Sequence, residues 1–277
     1  PAEIRAALTN TASRASTPDS LVGSGLIDAQ AAVRKTTPLS LTVNSAFGGA
    51  MPGTLTTNYG AVVSQWITNS PLSQGVGTQQ VSVAGNVMGN VFAQNSPTQV
   101  TLTLTNNATL NWQWQTQYLL TTDYTGDGAV TGTSGWLPNG GSSLLTASPA
   151  SYWYLEGWGG DADDGIVSGN TIEVFMDRTR SIMANFAPNL SPLGTPEYWL
   201  ASYGLTNDTL EAAEQTDYDS DGMLTWEEYV ADTDPSDKQS VLAFSSVNAE
   251  SNGISLTWTG GQLASQYLEA SDKLDAV

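Results

Sequence analysis

The clearest chemical pattern in the chain is an acidic loop at residues 217–228, Asp-Tyr-Asp-Ser-Asp-Gly-Met-Leu-Thr-Trp-Glu-Glu. Its acids stand at the first, third and fifth positions, glycine at the sixth and glutamate at the twelfth, which is the spacing of a calcium-binding loop. Alternate residues of such a loop point inward, so their oxygens surround one point. The pattern predicts one Ca²⁺ bound by six groups: Asp217, Asp219, Asp221, the Met223 carbonyl, Thr225 or its bridging water, and both oxygens of Glu228.

A solvated acidic turn is the alternative reading of this loop. Four acids placed this closely would repel one another without a cation. Gly222 permits the sharp turn, and Leu224 stands where such loops carry an apolar anchor. Because glycine, leucine and glutamate all occupy their expected positions, the pattern favours calcium over a solvated turn.

Other acidic groups carry a weaker signal. Asp234 and Asp237 add ligands or a second ion, or they form a helix stop and turn; the sequence leaves both open. Asp123 and Asp127 copy the first half of the 217–228 loop, but position 125 is threonine and Ser134 stands where the closing glutamate belongs. Without a bidentate acid such a loop binds calcium weakly, so we expect a solvated turn there.

The composition excludes several functions. The 277 residues include 27 acidic and 8 basic residues, no His and no Cys, and the net charge is −19. A catalytic triad, a His or Cys zinc site and a disulfide framework are therefore excluded. The negative charge argues against a nucleic-acid partner, and no apolar run approaches the roughly 20 residues of a membrane span. We expect this chain not to be an enzyme.

The 217–228 loop lies within a helical linker predicted at residues 188–240. Thr195-Pro196-Glu197 is a helix start, and apolar residues follow at helical spacing. The segment from "TPEYWLASYGL" to "DYDSDGMLTWEEYVADTDPSD" resembles calcium-binding linkers between modules of bacterial secreted proteins, akin to dockerin or thrombospondin type 3 loops. In that family Gly-Thr-Asp-Pro follows the exiting helix, and here Asp232 replaces the glycine.

Residues 38–187 alternate apolar and polar side chains between turn clusters, which predicts β-strands. The chain also aligns with itself: residues 100–114 and 172–186 each show an alternation, a turn and a second alternation, typical of a β-hairpin with one buried face. The sequence therefore predicts two small β modules, module 1 at residues 38–116 and module 2 at residues 117–187.

Module 2 carries "YLLTTDYTGDGAV", "LTASPASYWYLEGWGGD" and "NTIEVFMDRTRSIMANF". These strands resemble bacterial extracellular repeats that serve as spacers or adhesive units. A carbohydrate platform is one interpretation of its aromatic residues, and the filling of a small β core is the favoured one. The aromatic residues concerned are Trp136, Trp153, Tyr154 and Trp158.

Two short helices are predicted in residues 1–37. "PAEIRAALTNTASR" followed by "GSGLIDAQAAV" resembles the end of a subtilisin-like serine protease domain. The resemblance implies an upstream protease domain as a partner, with Ile4, Leu8, Leu26 and Val33 forming the face toward it. None of the family's catalytic motifs occurs in this chain. At the other end, residues 241–277 resemble the opening strands of a fibronectin-like sandwich, with strands at 255–258 and 266–270.

The sequence thus predicts a mainly β chain: two small repeated β modules with short flanking helices, a helix–calcium loop–helix linker, and the start of a fibronectin-like module. The predicted role is a calcium-stabilised spacer or attachment region in the C-terminal portion of an exported subtilisin-like protein, located outside the cell or on its surface. The alternatives are a self-assembling extracellular structural or adhesive protein, associating through terminal strands, and a carbohydrate-binding appendage.

Overall fold

The computed structural model describes residues 2–13, 16–17, 28–206 and 209–261. This part of the chain is mainly β, as predicted. Its helices are α1 (Ala2–Thr11), α2 (Ala29–Thr36), α3 (Glu197–Ser202), α4 (Leu210–Glu214) and α5 (Thr225–Ala231). Its strands are β1 (Pro38–Asn44), β2 (Ala50–Met51), β3 (Leu55–Asn58), β4 (Val62–Ile67), β5 (Leu72–Ser73), β6 (Thr78–Met88), β7 (Phe92–Ser96), β8 (Gln99–Thr103), β9 (Ala108–Thr125), β10 (Gly128–Gly132), β11 (Gly135–Pro138), β12 (Ser142–Pro149), β13 (Trp153–Gly160), β14 (Ile166–Ser168), β15 (Thr171–Phe175), β16 (Arg180–Pro188), β17 (Ala243–Glu250) and β18 (Gly253–Thr259).

The chain divides into two compact units that interleave along the sequence. The first comprises Pro1–Thr121, Thr133–Leu144 and Glu173–Ser181, and the second comprises Thr122–Gly132, Leu145–Ile172 and Ile182–Val277. The module boundaries predicted from the sequence stay predictions.

Helices α1 and α2 pack through small residues. The side chain of Asp28 accepts a hydrogen bond from the Ala31 N–H at 2.8 Å and so begins α2. The buried residues here are Ala7 of α1, Ala12 just after α1, and Ala32 of α2. Ile4 and Val33 are 60% and 62% exposed, so these apolar side chains are not covered by the described β-strands. Leu26, predicted on the same face, lies outside the described residues.

In the first unit, β9 is the central strand. It pairs in parallel with β1, where Leu41 lies opposite Ala108, and antiparallel with β6 and β11. A second sheet has the order β2-β4-β8-β7. Apolar side chains from both sheets form one buried cluster, so the two sheets enclose a core. Its members are Leu41, Val63, Ile67, Val87, Val100, Leu102, Leu104, Ala108, Leu110 and Trp112.

In the second unit, β16 lies between β13 and β9. The Thr125 hydroxyl on β9 donates to the Asn185 side-chain oxygen on β16 at 3.0 Å. Strands β10 and β12 pair antiparallel in a separate sheet. Ala147 of β12 and the β16 residues Ala184 and Phe186 form the buried cluster of this unit. Val130, Trp153, Leu155 and Trp158 pack against it.

Strand pairing follows one scheme in the two predicted modules. Residues 38–41 of β1 pair with β3 just as residues 117–120 of β9 pair with β11, through four residue pairs each. The pair β6–β9 has a bulge between Ser82 and Ala84, and the pair β13–β16 has one between Leu155 and Gly157. The order β2-β4-β8-β7 corresponds to β10-β12-β15-β14. The sequence repeat is therefore also a repeat of strand pairing.

The prediction that residues 100–114 and 172–186 each form a β-hairpin is wrong, whereas the predicted inward faces are correct. Strands β8 and β9 belong to different sheets, and so do β15 and β16. The predicted inward faces are buried all the same, at Leu102, Leu110, Val174 and Ile182. Leu104 and Met176, between the strands, are also fully buried, so the chain passes from one sheet to another with its apolar side inward. Alternation indicates which side faces a core, and not which strand is the neighbour.

The helical linker has its own small core. Leu200, Leu205 and Ala213 are buried together, with Trp199 and Leu210 against them. The Trp199 ring also contacts the rings of Tyr203 and Tyr229, at centroid distances of 4.9 and 5.3 Å. A stacked contact of 5.4 Å joins Tyr198 of α3 to Trp153 of β13. These contacts fix the helices around the 217–228 loop.

Strands β17 and β18 form a two-stranded antiparallel sheet. Phe244 lies opposite Trp258, just before a bulge in β17, and Val247 lies opposite Leu256. With Ile254 these side chains share one face, because every second residue of a strand points the same way. Phe244, Val247, Ile254 and Trp258 are all exposed. The strand predicted at residues 266–270 lies outside the described residues.

Candidate metal centre

Three aspartates meet in the loop between α4 and α5. One carboxylate oxygen from each of Asp217, Asp219 and Asp221 lies within 4.8 Å of the other two. The carboxylates also accept hydrogen bonds from the loop backbone. The carboxylate of Asp217 accepts the Ser220 and Gly222 N–H groups at 2.7 and 3.1 Å. The loop backbone thus turns the three carboxylates toward a common point, as the spacing predicts.

The same backbone contacts hold the other two acids. Asp219 accepts the Asp221 N–H at 3.1 Å, and Asp221 accepts the Met223 N–H at 2.7 Å. The loop reverses at Ser220 (φ 66°) and Gly222 (φ 102°), both in the left-handed region. A glycine takes that conformation without strain, which explains its place in the pattern.

Glu228 is the most unusual acid of the site. It lies on α5 and is fully buried, at 0% exposure. Both of its carboxylate oxygens are buried and have no hydrogen-bond partner among the described residues, and the same holds for one oxygen each of Asp219 and Asp221. A buried carboxylate without a partner is expensive to ionise. This arrangement calls for a cation or a proton.

The pKa values of the acids also indicate that the site needs a cation or a proton. The pKa of Glu228 is raised from its ordinary 4.5 to about 8, mainly by burial. The negative charges of Asp219 and Asp221, followed by those of Asp217 and Asp234, contribute the rest of this increase. Burial also raises the pKa of Asp219. A divalent cation among these oxygens would supply the missing charge and bring the acids back to their ionised forms.

Two predicted ligands are less clearly placed. Thr225 is fully buried at the start of α5, and its hydroxyl donates to the Thr216 carbonyl at 2.7 Å. Its hydrogen is therefore engaged, although the oxygen keeps lone pairs for an ion or a water. The Met223 carbonyl stays a predicted ligand. The donor set as a whole consists of oxygens only, which suits a hard cation such as Ca²⁺.

One residue of the site was not found by sequence reasoning. The Glu227 carboxylate accepts the Leu224 N–H at 2.8 Å and so caps α5. The sequence carries a signal for this contact, because glutamate at the third position of a helix is a capping residue. Glu227 is thus engaged at the start of α5. Glu228 lies outside the group of three aspartates but close enough for their charges to raise its pKa.

The other acidic groups have the contacts of turns. Asp234 accepts the N–H and hydroxyl of Ser236 at 2.9 and 2.6 Å, and Asp237 accepts the Gln239 N–H at 3.0 Å. Asp123 and Asp127 are exposed near the junction of β9 and β10. Within the described part of the chain, only Asp217, Asp219 and Asp221 form a group of carboxylates close enough to share an ion.

The aromatic residues of module 2 divide into two sets. Trp153 and Trp158 pack against the core of the second unit, which agrees with the interpretation that they fill a β core. Trp136 and Tyr154 are 41% and 48% exposed.

Comparison with known proteins gives one family. Residues 118–190 match the model of a family described as a divergent InlB B-repeat domain, a bacterial extracellular β-repeat. The match begins within β9 and includes β10 through β16. The resemblance predicted for module 2 is therefore confirmed at the level of a bacterial extracellular β-repeat. No curated protein and no solved structure matches the chain significantly. Among the described helices, none has the length and apolar character needed to cross a membrane.

Proposed function

We propose that this chain is a non-catalytic, calcium-stabilised spacer or attachment region of an exported protein. Tandem β-repeats provide the length, and the 217–228 loop binds one Ca²⁺ that fixes the helical linker after them. The observation that carries the proposal is the buried carboxylate of Glu228, whose two oxygens have no hydrogen-bond partner in the described chain, beside three converging aspartates. Because the chain has neither His nor a subtilisin-type serine motif, we expect the purified chain to show no peptidase activity.

Two observations support the spacer. The match to an extracellular β-repeat covers residues 118–190. Residues 38–116 lie outside that match but pair their strands in the same scheme, down to the bulge in β6 that corresponds to the bulge in β13. We infer two tandem copies of one repeat. The 18-residue strand β9 contributes to both copies without a linker between them.

The parent protein in this proposal is subtilisin-like, and this chain belongs to its C-terminal portion. The residues that carry the resemblance are the two N-terminal helices. Their apolar side chains Ile4 and Val33 are exposed rather than packed on the described strands, which supports a docking face for an upstream domain. Burial of both side chains by an upstream protease domain is the expected result in a longer chain, and a melting temperature unaffected by Ile4→Ser in that chain would contradict it.

A self-assembling extracellular protein is the second candidate. The observation that favours it is the exposed apolar face of β17 and β18, which includes Phe244 and Trp258. A lone two-stranded sheet is marginal in water. Sedimentation of the chain over a wide concentration range tests this candidate. Association that disappears in Trp258→Ser supports it, whereas a monomer at all concentrations excludes it.

Chelation combined with hydrogen exchange tests the calcium proposal. Because the ion binds the folded linker only, its removal should speed exchange in residues 197–231 and leave β1 through β16 protected. A hundredfold excess of calcium over the dissociation constant stabilises the linker by roughly 2.7 kcal/mol. Asp219→Ala should exchange like the chelated wild type, and Asp163→Ala, in an exposed turn, should behave as wild type. Equal exchange with and without calcium would refute the proposal.

A further inference from the structure

A second fully buried acid, besides Glu228, lies next to the 217–228 loop but outside its ligand set. Glu214 is the last residue of α4 and is fully buried. Its carboxylate has two partners: Oε2 lies 2.6 Å from the Ser191 hydroxyl oxygen, and Oε1 accepts the Leu193 N–H at 3.0 Å. Unlike Glu228, this acid is satisfied by protein groups alone.

The partners of Glu214 belong to the segment 191–195, which follows β16. This segment is a tight turn, because the Ser191 N–H donates to the Thr195 carbonyl at 3.0 Å. The Ser191 hydroxyl also lies 2.8 Å from that carbonyl. Glu214 therefore joins the chain leaving β16 to the helix that leads into the loop.

The loop is fastened on its other side as well. Two residues after Glu214, the Thr216 carbonyl accepts both the N–H and the hydroxyl of Thr225, at 3.0 and 2.7 Å. These contacts join the residue before Asp217 to the first residue of α5. Helix α5 is also held by the contact of Tyr229 with Trp199. A displacement of α4 would therefore strain these hydrogen bonds and move Asp217 relative to Glu228.

We propose that Glu214 is a positioning residue for the calcium site: its hydrogen bonds to Ser191 and Leu193 hold α4 in the place that brings the aspartates to Glu228. This inference rests on the calcium binding proposed above. It couples the ion to the segment 191–195, so that calcium binding and the docking of that segment stabilise each other. Such coupling is reciprocal by thermodynamic linkage.

A glutamine at position 214 separates positioning from simple charge attraction. Its amide oxygen can accept the Leu193 N–H, while its NH₂ group donates to the Ser191 oxygen and the Ser191 hydroxyl donates to Thr195. Glu214→Gln therefore keeps the contacts and removes the charge, whereas Glu214→Ala removes both. Glu211, exposed on the same helix, provides the matched control for charge.

The test is isothermal titration of the full chain with CaCl₂. Glu214→Ala should weaken calcium binding roughly tenfold, a size usual for coupled sites. Glu214→Gln and Glu211→Gln should bind as wild type does. Equal affinity of Glu214→Ala and wild type would overturn the inference, and so would a loss in Glu214→Gln as large as in Glu214→Ala, because charge would then be the cause. If the wild type itself binds no calcium, the proposed function fails instead.

Hydrogen exchange supplies a readout that does not depend on a stable Glu214→Ala protein. In the wild type, calcium should slow exchange of the Leu193 amide, which donates directly to Glu214. Ser191→Ala, which removes one of the two contacts, should reduce this slowing and weaken calcium binding in parallel. The proposed coupling would be overturned if calcium bound to the wild type but left the exchange rate of the Leu193 amide unchanged.

Discussion

Two loops of this chain share the first half of a calcium-binding pattern but differ in the interactions that stabilise them. The first of them, residues 123–128, comprises the end of β9, a turn and the first residue of β10; its acids are exposed, and Gly128 lies against the ring of Phe186. The 217–228 loop lies between two short helices and buries carboxylate oxygens that lack hydrogen-bond partners in the described chain. The acids of the first loop are exposed to water and need no counter-ion. The second loop carries an electrostatic penalty that a cation would remove.

The glycines of the two loops show the same difference. A Cβ on Gly128 would lie 2.5 Å from the Phe186 ring, so this glycine makes room for the core. A Cβ on Gly222 would meet nothing within 4 Å, but its φ of 102° strains any side-chain-bearing residue. One glycine serves packing, and the other serves the sharp turn of the 217–228 loop. The same residue type in the same pattern therefore has different physical causes.

The largest expected effect concerns the closing glutamate. Glu228→Gln removes the bidentate carboxylate while keeping its size, and we expect calcium affinity to fall by about 100-fold or more. Asp127→Asn, the matched change in the other loop, should leave affinity unchanged. Titration calorimetry measures both. A Glu228→Gln protein with wild-type affinity would remove the basis of the comparison.

The pH dependence of the chelated protein should be the next largest effect. Because the pKa of Glu228 in the folded chain is about 8 and its ordinary value is 4.5, the protonated group contributes stability that is complete below pH 4.5 and is lost as the pH rises through about 8. The slope approaches about 1.4 kcal/mol per pH unit. We therefore expect the linker without calcium to be about 2 kcal/mol less stable at pH 7.5 than at pH 5.5.

Pulse proteolysis in urea, read from cleavage within residues 197–231, measures this difference. Saturating calcium should abolish it, because bound Glu228 is ionised and binding releases its proton. Glu228→Gln, which has no proton to lose there, should lose most of this slope even in chelator; the raised pKa of Asp219 accounts for the remainder. Equal stability at the two pH values in chelated wild type would indicate that Glu228 is not buried as the structure has it.

The glycine pair gives a smaller, two-sided prediction. Gly128→Ala overpacks the Phe186 ring and should lower the free energy of unfolding of the β-strands by about 1–3 kcal/mol, with or without calcium. Gly222→Ala strains the loop backbone by about 1–2 kcal/mol and should weaken calcium binding roughly 5- to 30-fold. Urea unfolding and calorimetry measure the two effects. If both variants lost β-strand stability, or if both lost calcium affinity, the two glycines would not have different roles.

The last prediction is that a change in the first loop has no effect on calcium binding. Thr125→Asp with Ser134→Glu completes the calcium pattern in the first loop, yet we expect no ion to bind there. Residues 128–132 form β10, and a strand rising about 3.3 Å per residue carries Gly132 about 13 Å from Gly128, so the chain has left the turn before position 134. Calorimetry in an Asp219→Ala background, which silences the other loop, tests this expectation. A bound ion would show that the residue pattern alone is sufficient.

Local signals were the predictable part of this molecule. The spacing of Asp217, Asp219 and Asp221 acts through a tight loop, so their convergence follows from the sequence. The inward faces of β8 and β15 follow from alternation in the same way. The sequence does not predict that β8 and β9 belong to different sheets. A hairpin within one sheet and a connection between two sheets bury the same side chains, so alternation does not distinguish them. The burial of Glu214 depends on the distant segment 191–195, and no local pattern indicates it.

The most direct test of the account is the calcium stoichiometry of the intact chain. Isothermal titration of chelator-treated protein with CaCl₂ near neutral pH should show one ion per chain, with release of about one proton as Glu228 ionises. Heats measured in buffers of different ionisation enthalpy give that proton count. Absence of binding heat at millimolar calcium would contradict the account and leave the 217–228 loop as an acidic turn.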